Sequence, residues 1–202
     1  ESLSYYGHHH LMGNITGNHD MARFISYAGE ALRFDEESQS AGWERDIKVE
    51  NPVGYNKLSM LIAFNMTIPG IPVIYYGDEY GMAGAGDPDN RRQMLFDDLS
   101  EDEMKTRDLT EKLINLRKNN IALNFGTYNM LVVNDKVYVY YRKYLDNIVT
   151  IIFNKSSESI DIEFDSPFAD KAELSTINGS SIVSSGGKIK LNIPPYSFEI
   201  IK

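Results

Sequence analysis

Three neighbouring residues of complementary chemistry, Asn18, His19 and Asp20, follow a short apolar segment near the start of the chain. A histidine can donate a hydrogen bond to a sugar hydroxyl or to a developing negative charge. A carboxylate can stabilise positive charge or accept hydrogen bonds from hydroxyls. In α/β barrels such residues stand in the loops after the strands, which form the active-site face. The alternative is a plain loop in which Asn and Asp cap turns.

A second group of charged residues follows another short apolar segment, 71–76. Oxygen ligands of this kind could bind Ca²⁺, although their spacing is not that of an EF-hand loop. Structural ion pairing is the simpler interpretation for Glu79 and Arg92. Asp87 and Arg91 together offer the donors and acceptors that suit a polyol. The whole group comprises Asp78, Glu79, Asp87, Asp89, Arg91 and Arg92.

The elements around both groups alternate between strand and helix. Leu11 to Ile15 predicts a buried strand, Asn56 to Ile68 a helix ended by Pro69-Gly70, and 71–76 a second strand. This order predicts parallel strands joined by helical crossovers. Ser100 and Glu103 form a capping box ahead of a further helix.

The pattern changes near residue 125, after which helical periodicity disappears. Alternation in 137–141 and apolar runs at 148–153, 159–164 and 188–193 predict antiparallel strands. We therefore predict two domains, 1–124 and 125–202. The fold class is α/β plus all-β.

Composition excludes several classes of partner. The net charge of −9 and the pI of about 4.9 give no basic surface for nucleic acid or anionic lipid. No apolar run is long enough to span a bilayer, and there are no cysteines. The run His8 to His10 could bind a metal, but a loop without a metal is the favoured interpretation. The sequence indicates no compartment and no cofactor.

Five segments in order resemble the α-amylase family of glycoside hydrolases, above all its neopullulanase and cyclomaltodextrinase members. The resemblance implies the last two βα units of a TIM-type (β/α)8 barrel, holding strands 7 and 8, followed by an antiparallel β-sandwich domain. The segments are GNHDMARF (17–24), GIPVIYYGDEYGM (70–82), DPDNRRQMLF (87–96), LTEKLINLRKNNIAL (109–123) and NIPPYSFEIIK (192–202).

The resemblance also implies roles for individual residues. Asp20 is similar to the family's carboxylate that stabilises the transition state, and His19 to the histidine that hydrogen-bonds the same sugar. Asp87 and Arg91 resemble residues that hold a glucose further along the substrate. Arg23 is a further substrate-binding candidate that could instead support the motif.

A retaining glycosidase needs a carboxylate nucleophile and a separate carboxylic acid about 5–5.5 Å apart. No segment here resembles the family motifs that carry them, and a whole barrel takes about 250 residues. We therefore expect a fragment of a longer enzyme, inactive by itself. We expect its open barrel edges to need the missing N-terminal part of the barrel or self-association.

Several functions stay open at this point. The parent enzyme is expected to be a retaining hydrolase of starch-derived oligosaccharides, cyclodextrins or pullulan. A transglycosylase of the same family would look alike, and a non-catalytic α-glucan-binding or structural module is the alternative from another class. A Ca²⁺-binding structural domain built on residues 78–89 is a further possibility.

Overall fold

The structure is a computed structural model that describes residues 5–7, 11–169 and 173–202. His8 to His10 lie outside the described residues. The helices are α1 Phe24–Ala28, α2 Ser38–Glu44, α3 Val53–Thr67, α4 Glu101–Lys118 and α5 Ile121–Phe125, with a 3-10 turn at Asp89–Arg91. The strands are β1 Gly13–Ile15, β2 Ile71–Val73, β3 Thr127–Val133, β4 Val137–Tyr144, β5 Asn147–Asn154, β6 Ile160–Asp165, β7 Ile182–Ser185, β8 Lys188–Ile193 and β9 Ser197–Ile201.

The chain forms two compact units. The α/β unit comprises Met12–Met66 and Ile71–Asn115, and the β unit includes Thr67–Gly70 and Leu116–Lys202. The boundary predicted between residues 124 and 125 stays a prediction.

The α/β unit contains the predicted parallel pair. β1 and β2 pair in register from Gly13 with Ile71 to Ile15 with Val73. The helical connection includes α3, which begins slightly earlier than predicted and buries Leu58 and Ile62. The prediction of parallel strands with a helical crossover is confirmed.

The prediction that the first strand is buried is wrong. Leu11 is 81% exposed and Ile15 60% exposed. Among the described residues β1 pairs with β2 alone, and this small sheet leaves these side chains uncovered. Apolar residues therefore face solvent along this sheet.

The β unit is an antiparallel sandwich. One sheet has the strand order β3-β4-β5-β9 and the other the order β6-β8-β7. Side chains from both sheets share one core, in which Val139 and Ile152 lie with Phe164 and Ile189. The predicted all-β region is confirmed, and β3 and β7 are additional strands that the sequence analysis did not identify.

A buried arginine holds Thr67 within the β unit. Arg142 is fully buried and donates hydrogen bonds to the carbonyl oxygens of Thr67 at 2.7 Å and Gly126 at 2.9 Å. Burial lowers its pKa to about 10. The Tyr140 hydroxyl also lies 2.6 Å from the hydroxyl of Thr67.

Across the residues that the structure describes, none of the helices combines the length and apolar character that crossing a bilayer demands.

Candidate functional site

The loop after β1 presents the predicted His19 and Asp20 at the surface. The Asn18 side-chain oxygen accepts a hydrogen bond from the backbone N–H of Asp20 at 2.8 Å. This closes a tight turn, as the alternative interpretation expected of the asparagine. The side chains of His19 and Asp20 are 64% and 71% exposed, and His19 Nε2 lies 3.4 Å from Asp20 Oδ1. An imidazole and a carboxylate thus stand side by side, open to a ligand.

A second loop holds this turn in place. Asn90 is fully buried and its amide donates to the carbonyl oxygens of His19 at 2.8 Å and Met21 at 2.9 Å. Arg91 Nε also donates to the His19 carbonyl, at 3.3 Å. The backbone of the His19 loop is therefore fixed by residues that come about 70 positions later.

The predicted pair Asp87 and Arg91 flanks the same contact. Their charged groups lie 2.9 Å apart, and both side chains are nearly half exposed. Arg91 thus bonds the His19 backbone and the Asp87 carboxylate together. The structure brings His19, Asp87 and Arg91 into one connected cluster, and Asp20 adjoins it through His19.

Arg23 lies beneath this cluster and is only 2% exposed. Its guanidinium donates to the carbonyl oxygens of Asn90 at 2.9 Å and Tyr76 at 2.6 Å. It also lies over the ring of Tyr75, 4.1 Å from the centroid, where a cation is attracted by the π electrons. Because Arg23 is buried, we interpret it as a residue that supports the two loops and does not contact a substrate directly.

Asp78 is the anionic partner of Arg23, at 2.9 Å. Burial raises the pKa of Asp78 above its ordinary value, and the ion pair with Arg23 offsets this only in part. The Asp78 carboxylate packs directly against Gly17. Any side chain at position 17 would overlap this carboxylate. The glycine before the Asn-His-Asp turn is thus required by its packing.

The structural ion pairing expected for Arg92 is confirmed, and its partner is Asp89. Arg92 makes two bonds of 2.8 Å to the Asp89 carboxylate and one of 2.9 Å to the Ile47 carbonyl. The side-chain oxygen Oε2 of Glu79 is buried and has no hydrogen-bond partner among the described residues. Three-residue spacing on the 3-10 turn puts Asp89, not Glu79, within reach of Arg92.

These ion pairs also bear on cation binding. The carboxylates of Asp78, Asp87 and Asp89 each face an arginine. Within the described part of the chain, no three histidine or acidic side chains are arranged to hold a metal ion.

The sequence analysis missed two contributors to the site. Asn90 lies between two charged residues, which drew attention away from it. Its two hydrogen bonds reach residues about 70 positions earlier in the chain, and no local sequence pattern predicts them. Ser26 is the other, because its hydroxyl contacts both the N–H and the carbonyl of Gly84 at 2.9 Å. A buried serine in an apolar helix was the available signal.

Comparison with known proteins gives two family matches. The alpha amylase catalytic domain matches residues 4–120, and the alpha-amylase C-terminal domain matches residues 126–201. A cyclomaltodextrinase of Geobacillus thermopakistaniensis is 30% identical over 190 residues, which are 92% of this chain and 28% of that protein. A cyclomaltodextrin glucanotransferase of Bacillus licheniformis is 32% identical over 143 residues, which are 68% of this chain and 20% of that protein.

Solved structures agree in fold. The alpha-amylase from Geobacillus thermoleovorans, solved in complex with acarbose, is similar with a TM-score of 0.72 and 26% identity. The match covers 95% of this chain and 38% of that one. This chain matches less than a third of the length of the cyclomaltodextrinase and of the glucanotransferase named above. With the catalytic-domain match covering more than half of the 202 residues, this chain belongs to the alpha-amylase family of glycoside hydrolases.

Proposed function

We propose that this chain forms one wall of the active site of a retaining α-glucan hydrolase. In this proposal Asp20 stabilises the positive charge that develops on the sugar in the transition state, and His19 hydrogen-bonds the same sugar. Asp87 and Arg91 hold a glucose further along the chain of the substrate. The substrates are starch-derived oligosaccharides, cyclodextrins or pullulan.

One observation carries the proposal. The exposed His19 and Asp20 side chains adjoin the half-exposed Asp87–Arg91 pair through the bond from Arg91 to the His19 carbonyl. A row of accessible donors and acceptors on a fixed backbone suits a ligand with many hydroxyls. The named activities of the relatives, and the acarbose in one similar structure, support an α-glucan as that ligand.

We further propose that bond cleavage requires carboxylates that these residues do not supply. A retaining mechanism takes a nucleophile and an acid about 5–5.5 Å apart. The carboxylates of Asp78, Asp87 and Asp89 are already paired with arginines, which makes them poor candidates for either role. Asp20 is exposed and lies in the segment that resembles the family's transition-state carboxylate.

A chimera tests the role of Asp20. The segment of the Geobacillus thermopakistaniensis cyclomaltodextrinase that aligns with this chain is replaced by residues 1–202, and reducing-sugar release from maltoheptaose and pullulan is measured. We expect turnover that Asp20→Asn lowers by about 10²–10³-fold, as when one group that stabilises developing charge is removed. Asp135→Asn, in an exposed turn, is the matched control. Unchanged turnover in Asp20→Asn would overturn the assignment.

The second candidate function is a module that binds α-glucan without cleaving it. The pairing of the neighbouring carboxylates favours it for the 202 residues taken alone. We expect the isolated chain to bind maltoheptaose in calorimetry and to release no reducing sugar. Release that Asp20→Asn abolishes would mean that the chain, or an assembly of it, holds a complete site.

A further inference from the structure

The only tryptophan of the chain, Trp43, is 74% exposed. It lies on α2, a helix whose neighbouring residue Ala41 is buried. The helix start is capped by Glu37, whose carboxylate accepts from the backbone N–H of Ser40 at 2.7 Å. A large aromatic ring is thus displayed to solvent from a regular element.

Close packing fixes this helix against the loop of the candidate site. A Cβ added to Gly42 would lie 2.9 Å from the Cβ of Ala85 and 3.0 Å from that of Asp89. The backbone N–H of Gly86 also donates to the Ser38 carbonyl at 3.2 Å. The position of Trp43 therefore follows that of the 85–89 loop.

A groove of about 260 Å³ runs beside the tryptophan. Its aromatic side is Trp43, and its polar side includes Asp89 and Arg92, whose side chains are 21% and 30% exposed. One apolar face and one charged edge form a combination typical of small-molecule sites. The lining residues are Gln39, Gly42, Trp43, Pro88, Asp89 and Arg92.

A pyranose ring matches this combination. Its C–H face is apolar and can stack on an indole, while its equatorial hydroxyls can bond to carboxylate, amide and guanidinium groups. The groove adjoins the loop of the proposed substrate contacts, because its lining residue Gln39 donates from Nε2 to the Asp87 carbonyl at 2.7 Å. The same short loop thus carries the Asp87–Arg91 pair and one side of the groove.

We infer that the Trp43 groove binds a glucosyl unit of an α-glucan chain that extends past Asp87 and Arg91. The inference deepens the proposed function and rests on it for the class of ligand. Trp43 supplies the stacking surface, and Gln39, Asp89 and Arg92 supply contacts to hydroxyls. Longer oligosaccharides should accordingly bind more tightly than short ones.

The single tryptophan allows a local measurement. The 202-residue chain is titrated with maltoheptaose and with maltose while tryptophan fluorescence is followed, and affinity is measured in parallel by calorimetry. We expect a saturable change of fluorescence with maltoheptaose and at least fivefold weaker binding of maltoheptaose by Trp43→Ala. Trp43→Phe should restore most of the affinity, and Phe96→Ala, at an aromatic residue with 77% exposure outside the groove lining, is the control.

The outcomes separate the two proposals. One outcome would overturn the groove proposal and leave the proposed function standing. In it, maltoheptaose binding is lost in Arg91→Ala but unchanged in Trp43→Ala, and tryptophan fluorescence does not change on titration. Absence of any binding of maltoheptaose by calorimetry would overturn the groove proposal and the binding-module candidate, whereas the role of Asp20 is decided by the chimera. Fluorescence that responds to protein concentration but not to maltoheptaose would show that a second copy covers Trp43, which also contradicts the inference.

Discussion

At the scale of single residues, Arg23 connects the two loops of the candidate site. It bonds the backbone at Tyr76 and Asn90 and pairs with Asp78, all from a buried position. Asn90 then holds the backbone of the His19 loop. The exposed groups proposed to meet the substrate are therefore positioned by a buried cation that touches none of their reactive atoms.

Removal of this cation should destabilise the α/β unit strongly. In Arg23→Leu the buried Asp78 carboxylate and two carbonyl oxygens lose their donor, and breaking a buried pair costs about 3–5 kcal/mol. The free energy of unfolding, measured by urea denaturation at neutral pH, should fall by that order. The double variant Arg23→Leu, Asp78→Leu should be more stable than Arg23→Leu alone. A double variant that loses the sum of both single losses would contradict this account.

Asp78 should also make stability depend on pH. Its pKa in the folded state lies above its ordinary value near 3.8, so the folded state binds the proton more tightly than the unfolded state. Its contribution to the free energy of unfolding is therefore fully present below about pH 4 and is lost as pH rises through the raised pKa.

The comparison of the wild-type protein with Asp78→Asn isolates this effect. The difference in free energy of unfolding between the two should shrink as pH is raised from about 4 toward 7. The matched control is Asp135→Asn, in an exposed turn, for which no such trend is expected. A difference that instead grows with pH would mean that attraction to Arg23 outweighs burial.

At the scale of elements, α4 shows how much a local pattern can predict. The capping box is confirmed, since Ser100 N–H donates to the Glu103 carboxylate at 2.8 Å and Glu103 N–H donates to the Ser100 hydroxyl at 3.3 Å. The last turn carries Arg117 and Lys118, which suit the negative end of the helix dipole. Both signals lie within a few residues of the helix end that they mark.

Ser100→Ala should therefore destabilise the protein by about 1 kcal/mol, because one backbone N–H of the first turn loses its partner. Urea denaturation followed by circular dichroism measures the change. Ser157→Ala, at an exposed serine in a bend of the β unit, provides the matched control and should leave stability nearly unchanged. If both substitutions changed stability equally, the loss of the helix cap would not be the cause of the destabilisation.

Elements that depend on distant residues were harder to predict. β3 was missed because its exposed and half-buried residues do not alternate, and a bulge between Met130 and Val132 shifts its register. β7 was missed because it is four residues long and half of it is serine. The residues of the candidate site were identifiable by motif, whereas the Arg23–Asp78 and Asn90–His19 contacts join positions 55 and 71 residues apart.

At the scale of the whole molecule, β1 and β2 present an unusual surface. Each has one strand partner among the described residues. Ile15 is 60% exposed and Ile71 48% exposed on this small sheet. Edge strands that carry exposed apolar side chains are a template for association with further strands.

The 202-residue chain alone should therefore self-associate through this sheet. Sedimentation velocity over a range of protein concentrations should show a shift to larger species, and Ile71→Lys should reduce it because a buried charge opposes strand pairing. Leu145→Lys is the control, since Leu145 is 77% exposed in a turn of the β unit. If both variants associate like the wild-type protein, the contact lies elsewhere. If the wild-type protein stays monomeric at all concentrations, the exposed apolar side chains of this sheet are tolerated in water, and the expectation of self-association is wrong.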